Sequence, residues 1–282
     1  MTSLIIGGGF VGSVIEDRLR SNGAIVTIAG RADCSPTSVG VSARLEGLLE
    51  SAEQVVLTAQ LASLGIESIV DRIDGPRWLV FSSAQVTTSI VTPEIERARA
   101  LEADALRRGA TVVRPTMIFG HGRDRNISAL VRTILRSPIV PVMGGSALVA
   151  PIHVDDVAEF AVDHHPLISP GLYGLAGPES LPFREVVQDL AAITGRRIVP
   201  VEIPPKLLHI SAGFARTIPF LPLRSDQLLR SMEDRASTGA TPATSAGWRP
   251  HALAHRLEQA VDEVRGLPDR AAPRVEAPNN DA

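Results

Sequence analysis

The stretch Gly7-Gly8-Gly9-Phe10-Val11-Gly12 constrains this chain more than any other. It fits G-x-G-x-x-G, a pattern that gains meaning only from its surroundings. Ser3 to Ile6 reads as a short buried strand, Phe10 to Ser21 as a helix with Val11, Val14, Ile15 and Leu19 on one face, and Ala24 to Ala29 as the next strand. Asn22-Gly23 provides the helix stop. Strand, glycine turn, helix and strand in this order make a parallel β/α unit. Gly7 then allows the tight turn, Gly9 lets the backbone approach a pyrophosphate, and Gly12 lets the helix pack closely on the sheet. A pyrophosphate there would meet free N–H groups and the positive end of the helix dipole, with Phe10 and Val11 in the first turn. The plainer reading is a strand-to-helix turn that happens to be glycine-rich.

The alternation continues beyond the first unit. Val55 to Ala59 and Trp78 to Ser82 are buried-strand candidates separated by a helical stretch, Ala62 to Ile73. Glu94 to Arg108 is a helix with charges on its outer face, and Gly109 ends it before a strand at Thr111 to Arg114. After Pro115 the texture becomes richer in Pro and Gly. Helices are expected at Ile127 to Arg136, Phe183 to Thr194 and His251 to Val264, and strands at Val149 to Val154 and Arg197 to Val201. Asp156 and Glu159 have the spacing of a capping box. Leu267 to Ala282 lacks periodicity and reads as a disordered tail. These elements imply an α/β fold: a Rossmann-type doubly wound parallel sheet with a smaller C-terminal α/β substrate domain. The expected division is 1–166 for the nucleotide-binding domain, with 116–146 contributing to the cap, 167–266 for the cap itself, and 267–282 for the tail.

Composition removes several classes of function. The 282 residues are 44% hydrophobic and 21% charged with a net charge of −3, so the chain can bury a large core and carries no footprint for nucleic acid. A single cysteine, Cys34, excludes intramolecular disulfides and cysteine-cluster metal sites, and a reducing, cytoplasmic setting fits it. The histidines show no metal-ligand spacing, so no metal is expected. No apolar run is long enough for a transmembrane segment, and the first residues lack the pattern of a signal peptide. At the end of the second strand, where an acidic residue would favour NAD, the chain reads Ile28-Ala29-Gly30-Arg31. A guanidinium suits a 2′-phosphate, so NADP is expected over NAD, although Asp33 could still reach a ribose and keep NAD in play.

Several further segments carry a resemblance. Leu57-Thr58-Ala59-Gln60, Phe81-Ser82-Ser83-Ala84-Gln85-Val86, Val113-Arg114-Pro115-Thr116-Met117-Ile118-Phe119-Gly120, Pro151-Ile152-His153-Val154-Asp155-Asp156-Val157-Ala158 and Gly247-Trp248-Arg249-Pro250 occur in this order. With the glycine motif, they make the chain resemble an extended or atypical short-chain dehydrogenase/reductase of the NAD-dependent epimerase/dehydratase superfamily. Within it the chain is most similar to the branch of the Rossmann-fold accessory subunit of respiratory complex I. The resemblance implies a nicotinamide dinucleotide held by Gly7, Gly9, Phe10, Val11, Gly12, Arg31, Ala59, Ser82, Pro115 and Thr116. It also implies a catalytic hydroxyl at Ser83 and a habit of forming homodimers. Its partners would be the cofactor and either a small-molecule substrate or a protein.

The family's Tyr-x-x-x-Lys pair, in which Lys lowers the tyrosine pKa for proton transfer, has no counterpart. The helix that should bear it reads Pro93-Glu94-Ile95-Glu96-Arg97-Ala98-Arg99-Ala100-Leu101-Glu102. The chain has one tyrosine, Tyr173, and one lysine, Lys206, 33 residues apart. Arg99 could hold a ribose in place of the lysine but is a poor proton shuttle. Two functions stay open. One is an NADP(H)-binding structural or redox-sensing module without the proton relay. The other is an active NADP-dependent reductase or nucleotide-sugar-type epimerase/dehydratase using Ser83 with Glu94, Glu96 or His121. Plainer readings stand beside each residue: Ser83 as a strand-end hydroxyl satisfied by backbone, the glutamates as a solvated first helical turn, and His121 in a flexible surface loop. Pro204 to Leu223 spaces Leu207, Ile210, Phe214 and Ile218 as one apolar helical face, either for a partner, a membrane interface or an apolar substrate, or for packing onto the second domain.

Overall fold

The computed structural model describes residues 1–30, 41–63, 65–203, 230 and 232–267. Arg31, Asp33, Cys34, Lys206, the apolar segment 204–223 and the expected tail from 268 lie outside the described residues. In chain order, β1 (Thr2–Ile6), α1 (Phe10–Ser21), β2 (Ile25–Ala29), α2 (Ala43–Ser51), β3 (Gln54–Leu57), α3 (Ile66–Val70), β4 (Trp78–Phe81), α4 (Pro93–Arg107) and β5 (Thr111–Pro115) alternate. Then come β6 (Ile118–Phe119), α5 (Ile127–Arg136), β7 (Ile139–Val142), β8 (Leu148–Val149), β9 (Ile152–His153) and α6 (Val154–Glu159). The last described elements are β10 (Leu172–Leu175), β11 (Leu181–Pro182), α7 (Phe183–Thr194), β12 (Val199–Glu202), β13 (Thr241–Pro242) and α8 (Leu253–Gly266).

Seven strands form one sheet in the order β13-β10-β5-β4-β3-β1-β2, and every neighbouring pair is parallel. Successive strand residues point to opposite faces, which is why the apolar runs divide into two cores. Leu4, Ile6, Val55, Leu57 and Val80 face the helices α2, α3 and α4 through Leu45, Ile69, Ala98 and Leu101. Ile5, Val56, Leu79 and Val113 face α1 and α6 through Val14, Ile15, Leu19, Val157 and Ala158. The sheet is thus covered on both sides, the doubly wound arrangement expected from the sequence. A third core joins α5, α7 and α8 through Ile127, Leu130, Val187, Leu190, Leu257 and Val261 and makes the second lobe. Strands β10 and β13, although within 167–266, hydrogen-bond into the main sheet, and Trp248 packs under α6 beside Phe160.

Three local expectations are corrected. Val149 to Val154 is two short strands rather than one: strand pairing breaks at Ala150-Pro151, and α6 already begins at Val154. Asp156 does not cap α6. His153 does, its Nδ1 accepting from the Asp155 N–H at 3.3 Å, while the buried Asp156 carboxylate takes a hydrogen bond from His251 at 2.7 Å and pairs with Arg256 of α8. The helical stretch Ala62 to Ile73 shrinks to α3, because Gly65 precedes it with φ +83°.

Candidate active site

All seven strands run the same way, so their carboxyl ends make one edge. After β1 the chain passes to β2 on one side and returns to β3 on the other, which opens a crevice between the ends of β1 and β3. The glycine loop sits there. The Gly7 N–H donates to the Ala29 carbonyl at 3.0 Å, and its φ of +112° is a conformation glycine adopts without strain. A Cβ at Gly12 would fall 2.0 Å from the Gly7 carbonyl oxygen, so only glycine lets α1 approach. Beside Gly9, by contrast, a Cβ meets nothing within 4 Å, and no side chain caps α1. The first N–H groups of α1 therefore open onto clear space at the positive end of its dipole, with no acidic residue in the first turn. Phe10 and Val11 anchor that turn to the core below.

Thr58 holds the loop in place. It follows β3, and its hydroxyl donates to the Gly7 carbonyl at 2.6 Å, while the Thr58 and Ala59 N–H groups donate to the Ile6 carbonyl. The sequence offered one cue to this staple: a hydroxyl directly after the strand that neighbours β1. Further along the edge, Ser82 follows β4 directly, with its N–H on the Val113 carbonyl at 2.8 Å. Its hydroxyl oxygen is buried and has no hydrogen-bond partner among the described residues. Pro115 ends β5, and the Thr116 hydroxyl donates to the Ala150 carbonyl at 2.5 Å. The structure brings Gly7, Gly9, Gly12, Ala59, Ser82, Pro115 and Thr116 to this one edge.

Ser83 caps a short 3-10 helix, Ala84–Thr87, its hydroxyl accepting from the Gln85 N–H at 3.2 Å. Arg99 does not reach toward a ribose: its guanidinium donates to the Val86 and Thr88 carbonyls at 2.7 and 2.8 Å, fastening the loop after β4 to α4. Tyr173 is on the face of the sheet opposite α4. Its ring packs near Phe160, and its hydroxyl donates to the Ser169 carbonyl at 2.9 Å, toward the amino end of β10. It cannot meet a substrate lying between α4 and the carboxyl edge. His121, at φ +53°, is tied to Asp155 at 2.8 Å rather than held in an open loop. Burial would raise the Asp155 pKa, but hydrogen bonds and charge from His121 and His153 hold it well below the usual carboxylate range.

A strap from Glu233 to Gly239 crosses this edge. Glu233 accepts from the Ser89 N–H at 3.0 Å and from the hydroxyls of Thr88 and Ser89. Arg114 donates to the Thr238 and Gly239 carbonyls at 3.0 Å and to the buried Glu102 of α4 at 2.9 Å. Among the described residues, no group of His, Cys, Asp and Glu is arranged to hold a metal, and no helix is long and apolar enough to cross a membrane.

No protein-family model and no curated protein matches the sequence. Solved structures do. The chain shares its Rossmann-like α/β fold with solved epimerases and dehydratases. A UDP-glucose 4-epimerase of Thermotoga maritima, solved with UDP-glucose, superposes with a TM-score of 0.66 at 18% identity, over 94% of this chain and 99% of that one. The UDP-glucose 4-epimerase of Thermus thermophilus, in complex with NAD, gives 0.67 at 16% identity over 94% and 99%. RMD from Pseudomonas aeruginosa, complexed with NADPH, gives 0.63 at 16% over 93% and 97%.

Proposed function

We propose that the chain is a member of the NAD-dependent epimerase/dehydratase superfamily that binds a nicotinamide dinucleotide and has lost the superfamily's proton relay. The observation that carries this reading is the glycine loop at the strand-order reversal. It pairs closed packing at Gly12 with open space at Gly9 and an uncapped helix start. The residues fit the cofactor: Gly9 and the first turn of α1 would take the pyrophosphate, and the orphaned Ser82 hydroxyl would gain a partner. When bound, the dinucleotide supplies hydride chemistry. The chain's own part is to bind and orient it. Proton transfer at the substrate has no Tyr-Lys pair to serve it, since α4 carries neither residue and Tyr173 lies across the sheet.

A structural or redox-sensing role follows, in which the bound dinucleotide sets the stability or docking of the chain. The preference for NADP rests on Arg31, and the narrower kinship with the complex I accessory subunit rests on the sequence segments. Calorimetric titration with NADPH and NADH tests the reading. Expected is tight binding without turnover of bound NADPH across a panel of carbonyl substrates. Failure of both nucleotides to bind below millimolar overturns the cofactor assignment. Turnover abolished by Ser83→Ala overturns the loss of catalysis, and an Arg31→Ala chain that still prefers NADPH removes the role of Arg31.

A further inference from the structure

The strap is fastened unevenly. At one end the Thr238 and Gly239 carbonyls accept from the Arg114 guanidinium, itself buried in its pair with Glu102, and the buried Thr238 side chain fills the space that a Cβ at Gly174 would take. In the middle, Asp234 accepts from the Leu148 N–H at 2.8 Å and the Arg235 N–H donates to the Leu148 carbonyl at 2.7 Å, so the strap keeps register with the second lobe. The other end is different. Among the described residues, every hydrogen bond between the strap and the loop after β4 ends on the Glu233 carboxylate, which takes the Ser89 N–H and hydroxyl and the Thr88 hydroxyl. Ser89 is exposed and Glu233 only partly buried. Burial would raise the Glu233 pKa, but the hydrogen bonds from Ser89 and Thr88 hold it below the usual glutamate value, so the group is charged at neutral pH.

The loop held in this way begins at Ser82 and Ser83, and Arg114 directly precedes Pro115 and Thr116. Strap and loop therefore meet beside the part of the carboxyl edge, at β4 and β5, where those residues converge. On its far side the loop is tied to α4 by Arg99, through the Val86 and Thr88 carbonyls. Attachments that are buried or run between backbones open rarely, whereas hydrogen bonds exposed to water open at little cost. Because one carboxylate carries all the bonds of the joint, a single rotation of the Glu233 side chain frees it.

We propose that strap and loop form a gate over this part of the edge, latched by Glu233, and that opening of the latch sets how fast a dinucleotide enters and leaves. The proposal rests on the dinucleotide reading above. A gate differs from an ordinary contact in its kinetics. A contact made only in the complex slows release alone, whereas a gate slows entry and release alike and leaves the affinity nearly untouched.

Stopped-flow mixing of the full chain with NADPH, read by nucleotide fluorescence, tests this in Glu233→Gln, which has one acceptor oxygen in place of two, and in Ser89→Ala. Circular dichroism melts check that both variants fold. Expected is a rise in both the association and the dissociation rate constants, roughly tenfold in Glu233→Gln and smaller in Ser89→Ala, while Kd changes less than about twofold. In the nucleotide-free chain, amide exchange should quicken at Ser89 in Glu233→Gln and stay unchanged at Leu148 and Arg235, whose partners lie elsewhere. Rates equal to those of the parent chain, or a rise confined to dissociation, overturn the latch and leave the dinucleotide reading standing. So does exchange that is unchanged at Ser89 or that quickens at Leu148 and Arg235 as well. Failure of the parent chain to bind NADPH overturns the dinucleotide reading, and the latch with it.

Discussion

A methyl group added at Gly12 would sit 2.0 Å from the Gly7 carbonyl oxygen, whereas one added at Gly9 meets nothing within 4 Å. The two glycines should therefore separate folding from binding. Gly12→Ala must push α1 off the sheet, an overpacking cost of about 3 kcal/mol, read as a lower denaturation midpoint. Gly9→Ala gives up a better helix cap for a poorer one, about 1 kcal/mol at most. It also places a methyl where a pyrophosphate would approach, so NADPH affinity should fall roughly tenfold or more, about 1.4 kcal/mol. Ser82→Ala should act in the opposite sense on the two readouts. Removing an orphaned buried hydroxyl leaves stability unchanged or raised, and calorimetry should show NADPH binding weakened by about 1 kcal/mol. The turn at Gly7 and the close packing at Gly12 were legible in the sequence because the spacing of the glycines against the strand and helix assigns them. The Thr58 staple was not, since it depends on which distant residues become neighbours.

At the level of elements, α4 and β5 are joined by one ion pair. Arg114 and Glu102 have side chains only 13% and 5% exposed, and Arg114 reaches on to the strap. Glu102→Ala strands a buried guanidinium, so a loss of about 3 kcal/mol or more is expected in denaturant melts. Glu102→Leu combined with Arg114→Met should cost clearly less than the two single changes added together, because it removes both charges at once. Helices such as α5 and α7 could be read to the residue, their apolar spacing matching the core they bury. Strand β10 was not expected, since Leu172-Tyr173-Gly174-Leu175 is short and interrupted by a glycine. Gly174 is needed there because a Cβ would strike Thr238 of the strap, 64 residues away in the chain. Helix α2 was likewise missed. Its signals are a Ser42 cap on the Leu45 N–H and only two buried leucines, Leu45 and Leu49. The missing Tyr-Lys pair was the reverse case. Counting residues was enough to expect it, and the packing of Tyr173 against Phe160 gives the physical reason it cannot be replaced from across the sheet.

Across the whole molecule, the response to acid should be set by a histidine far from the glycine loop. His165 follows the π-helical turn Phe160–His164 that continues α6, at the amino ends of β3 and β4, and is 4% exposed. Its Nδ1 lies 3.3 Å from the Gln54 amide, which also donates to the Ala161 carbonyl. Burial pushes its pKa down to about 4, against weaker opposing hydrogen bonds to the backbone of Pro76 and Trp78. Between about pH 6.5 and about pH 4 the unfolded chain holds a proton on this ring that the folded chain does not. Stability from the neutral ring is therefore complete above the unfolded pKa and is lost as pH falls through this window, by roughly 3 kcal/mol in all. His121 works with the opposite sign. Its hydrogen bond to Asp155 raises its pKa despite partial burial, so its contribution is present at low pH and fades as pH rises past the folded value. Denaturation midpoints taken from pH 8 to pH 4.5 should fall on the acid side. His165→Asn, which keeps an amide for Gln54 but cannot titrate, should flatten that fall, whereas His121→Asn should alter only the limb above the ordinary histidine pKa. An acid limb unchanged in His165→Asn would mean that titration of His165 does not set the fall, and the acid sensitivity would have to come from the carboxylates that pair the second lobe to α6.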